Sequence, residues 1–356
     1  MKLFQKLLVA PAALGLLVPF SANASEVNLD AISKYSEENL EIDDILFKQN
    51  TPNNPLLSGG EGLVESDDFS GGFSETTTAS FGVDMVVGAE DGAASEAAQF
   101  SYQMGIGLET SFTGEDSLSA TIDIGDAAAD ALALDDTDNV LTLDGLTYTF
   151  PVGGASLMVG DNTDISAMYT GACAYNAFTD YMGNCGTGST VGVGGNGATA
   201  ALSYAFDGGF SLAGGVSSTP ESILSEEGED VYGIEAAYTA DSFGLSLAYS
   251  DAEGTDGYGI NAMYDFDVAT ISAGFESVDD AEGFFVGLSF PEVGAGSFDI
   301  GMGTTGNFAD GDTEYYTYEA SYAYPVNDSV TVTPGIYIVE GETDVTGYAV
   351  KTSFSF

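Results

Sequence analysis

The side chains able to do chemistry in this chain are almost all carboxylates. Aspartate and glutamate number 56 against five lysines, with no arginine and no histidine. Without histidine there is no His-based triad, no His general base and no ordinary zinc site. The sequence therefore predicts no enzyme, no metal centre and no cofactor, and what remains is electrostatics. Eight acids fall on one parity of strongly patterned segments: Asp84, Glu109, Asp123, Glu235, Asp265, Glu276, Asp299 and Glu319. Apolar residues alternate with them, as Ile234 and Ala236 flank Glu235, and Tyr318 and Ala320 flank Glu319. Gln103 and Asn261 hold equivalent places, and Lys351 is the one base that does. A period of two sends successive side chains to opposite faces of a strand. The acids share a polar face; the opposite face is greasy.

Cysteine supplies the other pair of reactive groups. Cys173 and Cys185 stand twelve residues apart in GACAYNAFTDYMGNCG. A thiolate metal site there lacks further ligands, so a disulfide is expected if the chain is exported. Closing a loop of this size stabilises by roughly 3 kcal/mol in the chain-entropy model. The surrounding stretch, Asp161 to Asn196, is the longest connection without a strand pattern, and it carries Asp161, Asp164 and Asp180. Its Ala, Tyr, Phe and Met residues suit packing on an inner wall, which would make it a constriction. An exposed surface loop is the alternative.

Strands must position these groups. From residue 75 the alternation recurs near 75–88, 97–112, 117–125, 139–151, 155–160, 197–206, 209–218, 229–239 and 242–251. It continues near 257–266, 268–277, 282–291, 296–304, 314–325, 328–340 and 346–356. Sixteen strands, most close to the ~9–11 residues that cross a bilayer, predict an all-β transmembrane antiparallel β-barrel with the long third outward loop folded inside. Tight turns at Gly114-Glu115-Asp116, Gly153-Gly154, Asp207-Gly208-Gly209, Asp241-Ser242 and Asn327-Asp328 alternate with longer acidic stretches. Phe150, Phe206, Phe210, Tyr238, Phe243, Tyr264, Phe266, Phe290 and Tyr324 sit beside the tight turns, where an interfacial aromatic girdle belongs. The chain ends on Phe356, on the greasy parity of its last strand.

The first residues address the chain to the envelope. Lys2 and Lys6 precede an apolar run from Leu7 to Phe20, and Ala22-Asn23-Ala24 forms a small-x-small cleavage site. The organisation expected is a signal peptide over 1–24, an acidic arm or linker over 25–74 and a barrel over 75–356. Loss of two signal lysines takes the net charge from −51 to about −53. Such a polyanion excludes nucleic acid as a partner.

The signal MKLFQKLLVAPAALGLL, the following SEVNLDAISKYS, the long loop after LTYTFPVGG and the terminal SFSF together resemble marine cyanobacterial outer-membrane porins, a group related to carbohydrate-selective porins. The resemblance implies a passive diffusion channel for ions and small solutes, commonly a homotrimer. Many such proteins carry a surface-layer-homology domain before the barrel, and no such domain is visible in the fifty residues of 25–74. The expected partners are outer-membrane lipid and lipopolysaccharide, the barrel-insertion machinery, which reads Phe356, and inorganic cations and small solutes. A non-conducting structural or adhesion barrel is the competing reading.

Overall fold

Segments with one apolar and one polar face can satisfy their backbone groups in a bilayer only by closing on themselves. A computed structural model of the chain has that architecture. It describes residues 76–93, 96–126, 134, 136–180, 197–220, 223, 230–309 and 311–356. The expected signal peptide over 1–24, the expected arm over 25–74 and Cys185 lie outside the described residues.

The strands are β1 (Thr77–Asp91), β2 (Gln99–Thr110), β3 (Ser117–Asp126), β4 (Thr142–Val152), β5 (Ala155–Thr163), β6 (Gly197–Ala205), β7 (Phe210–Ser218) and β8 (Asp230–Thr239). They continue as β9 (Phe243–Ala252), β10 (Thr255–Asp265), β11 (Thr270–Val278), β12 (Ala281–Val293), β13 (Gly296–Thr304), β14 (Tyr316–Asn327), β15 (Val330–Val339) and β16 (Val345–Ser355). Each pairs with its neighbours in sequence, and β1 pairs antiparallel with β16 to close the barrel. The closing seam extends one residue past β16. Phe356 exchanges two backbone hydrogen bonds with Phe81, and the two rings stack at 5.6 Å.

Connections from even to odd strands are short and gather at one end. Those from odd to even strands gather at the other, and residues 164–196 form the longest. Two at that end depart from the expected pattern of long outer stretches: β9–β10 and β11–β12 turn through two residues each. Glu253, Asp279 and Asp280 take positive φ there (52°, 50° and 64°), as the twist of a two-residue hairpin demands.

Burial follows the alternation. Val87, Ile234, Leu247, Ile260 and Ile336 are exposed on the outside, forming an apolar band of the kind lipid covers. Tyr204–Phe206, Phe210–Tyr238 and Tyr264–Phe266 pack as ring pairs at 4.6 Å beside the tight turns. The inner face is polar but interrupted by Met158, Phe285 and Tyr337, all buried. Each of these sits in a small apolar cluster with a residue from the segment after β5: Ile165 on Met158, Tyr175 on Phe285 and Phe178 on Tyr337.

Candidate functional site: the inner wall and the segment after β5

Asp161 belongs to β5, paired with Leu146, so the long connection opens at Asp164 rather than at Asp161. Asp164 caps a single 3-10 turn, Ile165–Met168, accepting from the Ser166 N–H at 2.7 Å. A cap at this position satisfies a donor that would otherwise be orphaned as the chain leaves the sheet. From there the chain runs along successive strands of the wall. Thr170 N–H donates to Glu235 Oε2 on β8 at 2.5 Å, and Ala174 N–H to Ser272 Oγ on β11 at 3.0 Å. Ser289 Oγ on β12 lies 2.5 Å from Asp299 Oδ1 and 3.2 Å from the Ala174 carbonyl, and its single proton serves one at a time.

Glu319 on β14 is the strongest attachment. Its Oε1 accepts from Tyr175 OH (2.7 Å) and Phe178 N–H (2.8 Å). Its Oε2 accepts from Thr179 N–H (2.8 Å) and Thr179 Oγ1 (2.5 Å). Four donors on one buried carboxylate satisfy an ionised group without any counter-charge, through charge-assisted hydrogen bonds. Glycines on the inner parity make room for the rings between these anchors. A Cβ on Gly301 would stand 2.6 Å from Tyr175 Oη, and one on Gly335 2.5 Å from the Phe178 ring.

Length explains the course of this segment. The arc from β6 to β15 spans nine strand spacings, about 43 Å at the wall and less where the segment lies inside it. Thirteen residue steps from Ile165 to Phe178 would reach about 43–47 Å fully extended, and reach a few Å less because Ile165–Met168 form a 3-10 turn. The segment is therefore a strap running close to extended, with few residues to spare.

The predicted site residues divide by place. Glu235, Asp299 and Glu319, at 1%, 2% and 3% exposure, lie beneath the strap with Asn261. Asp84, Gln103, Asp123 and Lys351 stand on the arc of β16 and β1–β3, where Phe178 at the end of the strap packs on Val86 and Ala349. Gln103 Nε2 donates to Asp84 Oδ2 at 3.3 Å. Lys351 pairs in register with Val86, which makes Asp84 its diagonal neighbour. Glu109, which accepts from Ser117 Oγ, and Asp265, which accepts from the Asp267 N–H, sit at the tight-turn mouth. Glu276 accepts from Asn307 Nδ2 at the other mouth, and Asp180 is exposed at the end of the strap. Among the described residues no cysteine is free. Sequence reading missed the anchors Ser272 and Ser289 and the glycine notches. Glycines of inner parity on β12, β13 and β15 were the available signal.

No family model matches the chain, and no curated protein does either. Solved structures do. The high-pH structure of Pseudomonas putida OprB aligns with 79% of this chain and 94% of its own, at 14% identity and a TM-score of 0.64. Two mutants of Rhodobacter blastica porin align over 79% of this chain and all of their own, at 16% and 17% identity and a TM-score of 0.55. At these identities the likeness is one of fold: a porin-like sixteen-strand barrel.

Proposed function

We propose that this chain is an outer-membrane porin, a passive diffusion channel for ions and small hydrophilic solutes that favours cations. The observation that carries the reading is a closed barrel with an apolar outside, an acidic inside and an internal strap. Acids of the inner wall and the mouths (Asp84, Asp123, Glu109, Asp265 and Glu276), with Asp164 and Asp180 on the strap itself, line the path, while Asp161 shares the outward parity of Val159 and stays off it. Among the described residues Lys351 alone opposes them. In a confined aqueous space such a charge distribution raises the local cation concentration and repels anions. Glu235, Asp299 and Glu319 act differently, as anchors that set the width of the passage.

In the membrane the barrel meets lipid and lipopolysaccharide on its outer face, and the insertion machinery recognises Phe356 at its closing seam. A homotrimer and a marine cyanobacterial kind rest on the resemblance of the N-terminal sequence. A Cys173–Cys185 disulfide would brace the far end of the strap, and it is supported by the lack of a free cysteine among the described residues. Mass spectrometry of unreduced peptides should find the two linked.

The deciding experiment is single-channel recording in a planar bilayer across a KCl gradient. The reversal potential should favour K⁺ over Cl⁻ and shrink as salt rises and the screening length falls from about 10 Å at 0.1 M. Anion preference overturns the charge argument. A purified, folded barrel that never conducts favours the structural reading instead.

A further inference from the structure

Tyr337 is among the largest side chains that the protein buries, at 2% exposure, although it projects to the lumen side of β15. Register explains how it is housed. One inner row crosses five strands as Gly301 on β13, Glu319 on β14, Tyr337 on β15, Gly347 on β16 and Glu90 on β1. Tyr337 and Glu90 therefore stand two strand spacings apart, about 9.5 Å. The ring spans that gap by lying over Gly347, where a Cβ would collide with its Cζ. Its hydroxyl donates to Glu90 Oε1 at 2.6 Å. The same ring carries the end of the strap. Phe178 packs on it with centroids 6.4 Å apart, in a cluster with Val86, Val339 and Ala349 that Leu134 and Val345 flank. Phe178 N–H is also one of the four donors to Glu319, the neighbour of Tyr337 in the row.

A buried tyrosine needs a partner for its hydroxyl, and a hydrogen bond to a carboxylate is stronger than one between neutral groups. Glu90 supplies that partner from across the junction of β16 and β1, where the barrel closes. Without it the ring either keeps an unpaired hydroxyl or swings toward the lumen, and Phe178 loses its seat. We propose that Glu90 and Tyr337 form a brace across the closing seam that fixes the end of the strap. Glu90 is thereby a positioning residue for the width of the passage, a role that rests on the channel reading. It acts through Tyr337 and Phe178, as a supporting residue locks the rotamers of the groups that shape a site. Its contribution lies in accepting a bond rather than in its charge, which separates it from Asp84 on the same strand.

The test separates accepting from charge. Glu90→Gln keeps an acceptor oxygen for Tyr337, whereas Glu90→Ala keeps none. In single-channel recording Glu90→Ala should raise open-channel noise roughly twofold and enlarge the conductance, while Glu90→Gln stays close to the parent. Equal noise in Glu90→Ala and the parent overturns the proposal. So does a Glu90→Gln variant that matches Glu90→Ala, because the effect then belongs to charge. Hydrogen exchange in detergent gives a readout that needs no conduction. The peptide carrying the Phe178 and Thr179 N–H groups should exchange roughly tenfold faster in Glu90→Ala, with β13 at the parental rate. Unchanged exchange, or equal acceleration in β13, overturns the brace. Should Glu90→Ala not assemble, Tyr337→Phe removes the same bond through a single atom and must show both effects. A parent that never conducts while the exchange pattern holds sinks the channel reading and leaves the brace standing.

Discussion

At the scale of single residues the molecule uses carboxylates as acceptors as much as charges. Asp116, in the turn between β2 and β3, is the simplest case. Its Oδ1 takes bonds from Ser111 Oγ, Phe112 N–H, Thr113 N–H and Thr113 Oγ1, and Tyr148 OH donates to Oδ2 at 2.7 Å. Burial alone would push this carboxyl up, but the bonds from Tyr148, Thr113 and Ser111 win and hold it well below the usual carboxylate range. A depressed folded pKa means the clamp is at full strength above the unfolded pKa near 3.9 and is lost as pH falls below it. The unfolding temperature of the parent should therefore drop between about pH 5 and pH 2. Asp116→Asn should lower it at neutral pH and flatten that acid limb, as heat-modified gel mobility across pH would read out. Glu319→Gln tests the other clamp. The amide keeps one acceptor oxygen and turns its NH2 toward either the Phe178 or the Thr179 N–H group, and an unsatisfied pair costs about 1–3 kcal/mol. The variant should still fold, because the barrel closes without the strap, but its single-channel conductance should rise and become noisier.

At the scale of elements, the strands were legible and the strap only in part. Alternation marks strands because lipid and lumen impose opposite chemistry on successive side chains, and segment 296–304 coincides with β13 in both bounds. The parity that places Glu235 and Glu319 inward is the same signal. That their carboxylates are covered is invisible to it, because the covering donors are the backbone N–H groups of Thr170, Phe178 and Thr179, which any residue but proline carries. The two-residue hairpins at Glu253–Gly254 and Asp279–Asp280 were missed for a related reason: acidic turn residues look alike whether the loop is tight or long. The closing seam was legible through Phe356. Its backbone bonds and stacking with Phe81 predict that deleting Phe356 lowers membrane yield more than Ser355→Ala, which faces the lumen. Equal yields, measured by outer-membrane fractionation, would remove the seam's importance.

At the scale of the whole molecule, fixed negative charge is spread unevenly around the lumen. The strap bonds the acids of β8 and β14 directly, whereas Asp84 on β1 takes its bond from Gln103 of the wall. Selectivity should follow that division. Asp84→Asn with Asp123→Asn should reduce K⁺ over Cl⁻ preference measurably in a KCl gradient while leaving conductance near parental. Glu319→Gln should do the reverse. Identical selectivity in all variants would move the determinant to the outer loops.

The near-extended course of the strap has a consequence for how such a chain can change over generations. Each anchor is met by a residue at a set count from Thr163, with scarcely any contour held in reserve. Replacing Gly171 with alanine leaves the residue count unchanged, whereas removing it shifts Tyr175 off Gly301 and Phe178 off Gly335 at once. Length is thus the tightly held quantity in this segment, and composition the freer one. A one-residue deletion between Thr170 and Ala174 should unfasten the strap as thoroughly as loss of Glu319, read as the same noisy, enlarged conductance. Lineages should drift here by substitution and almost never by insertion or deletion.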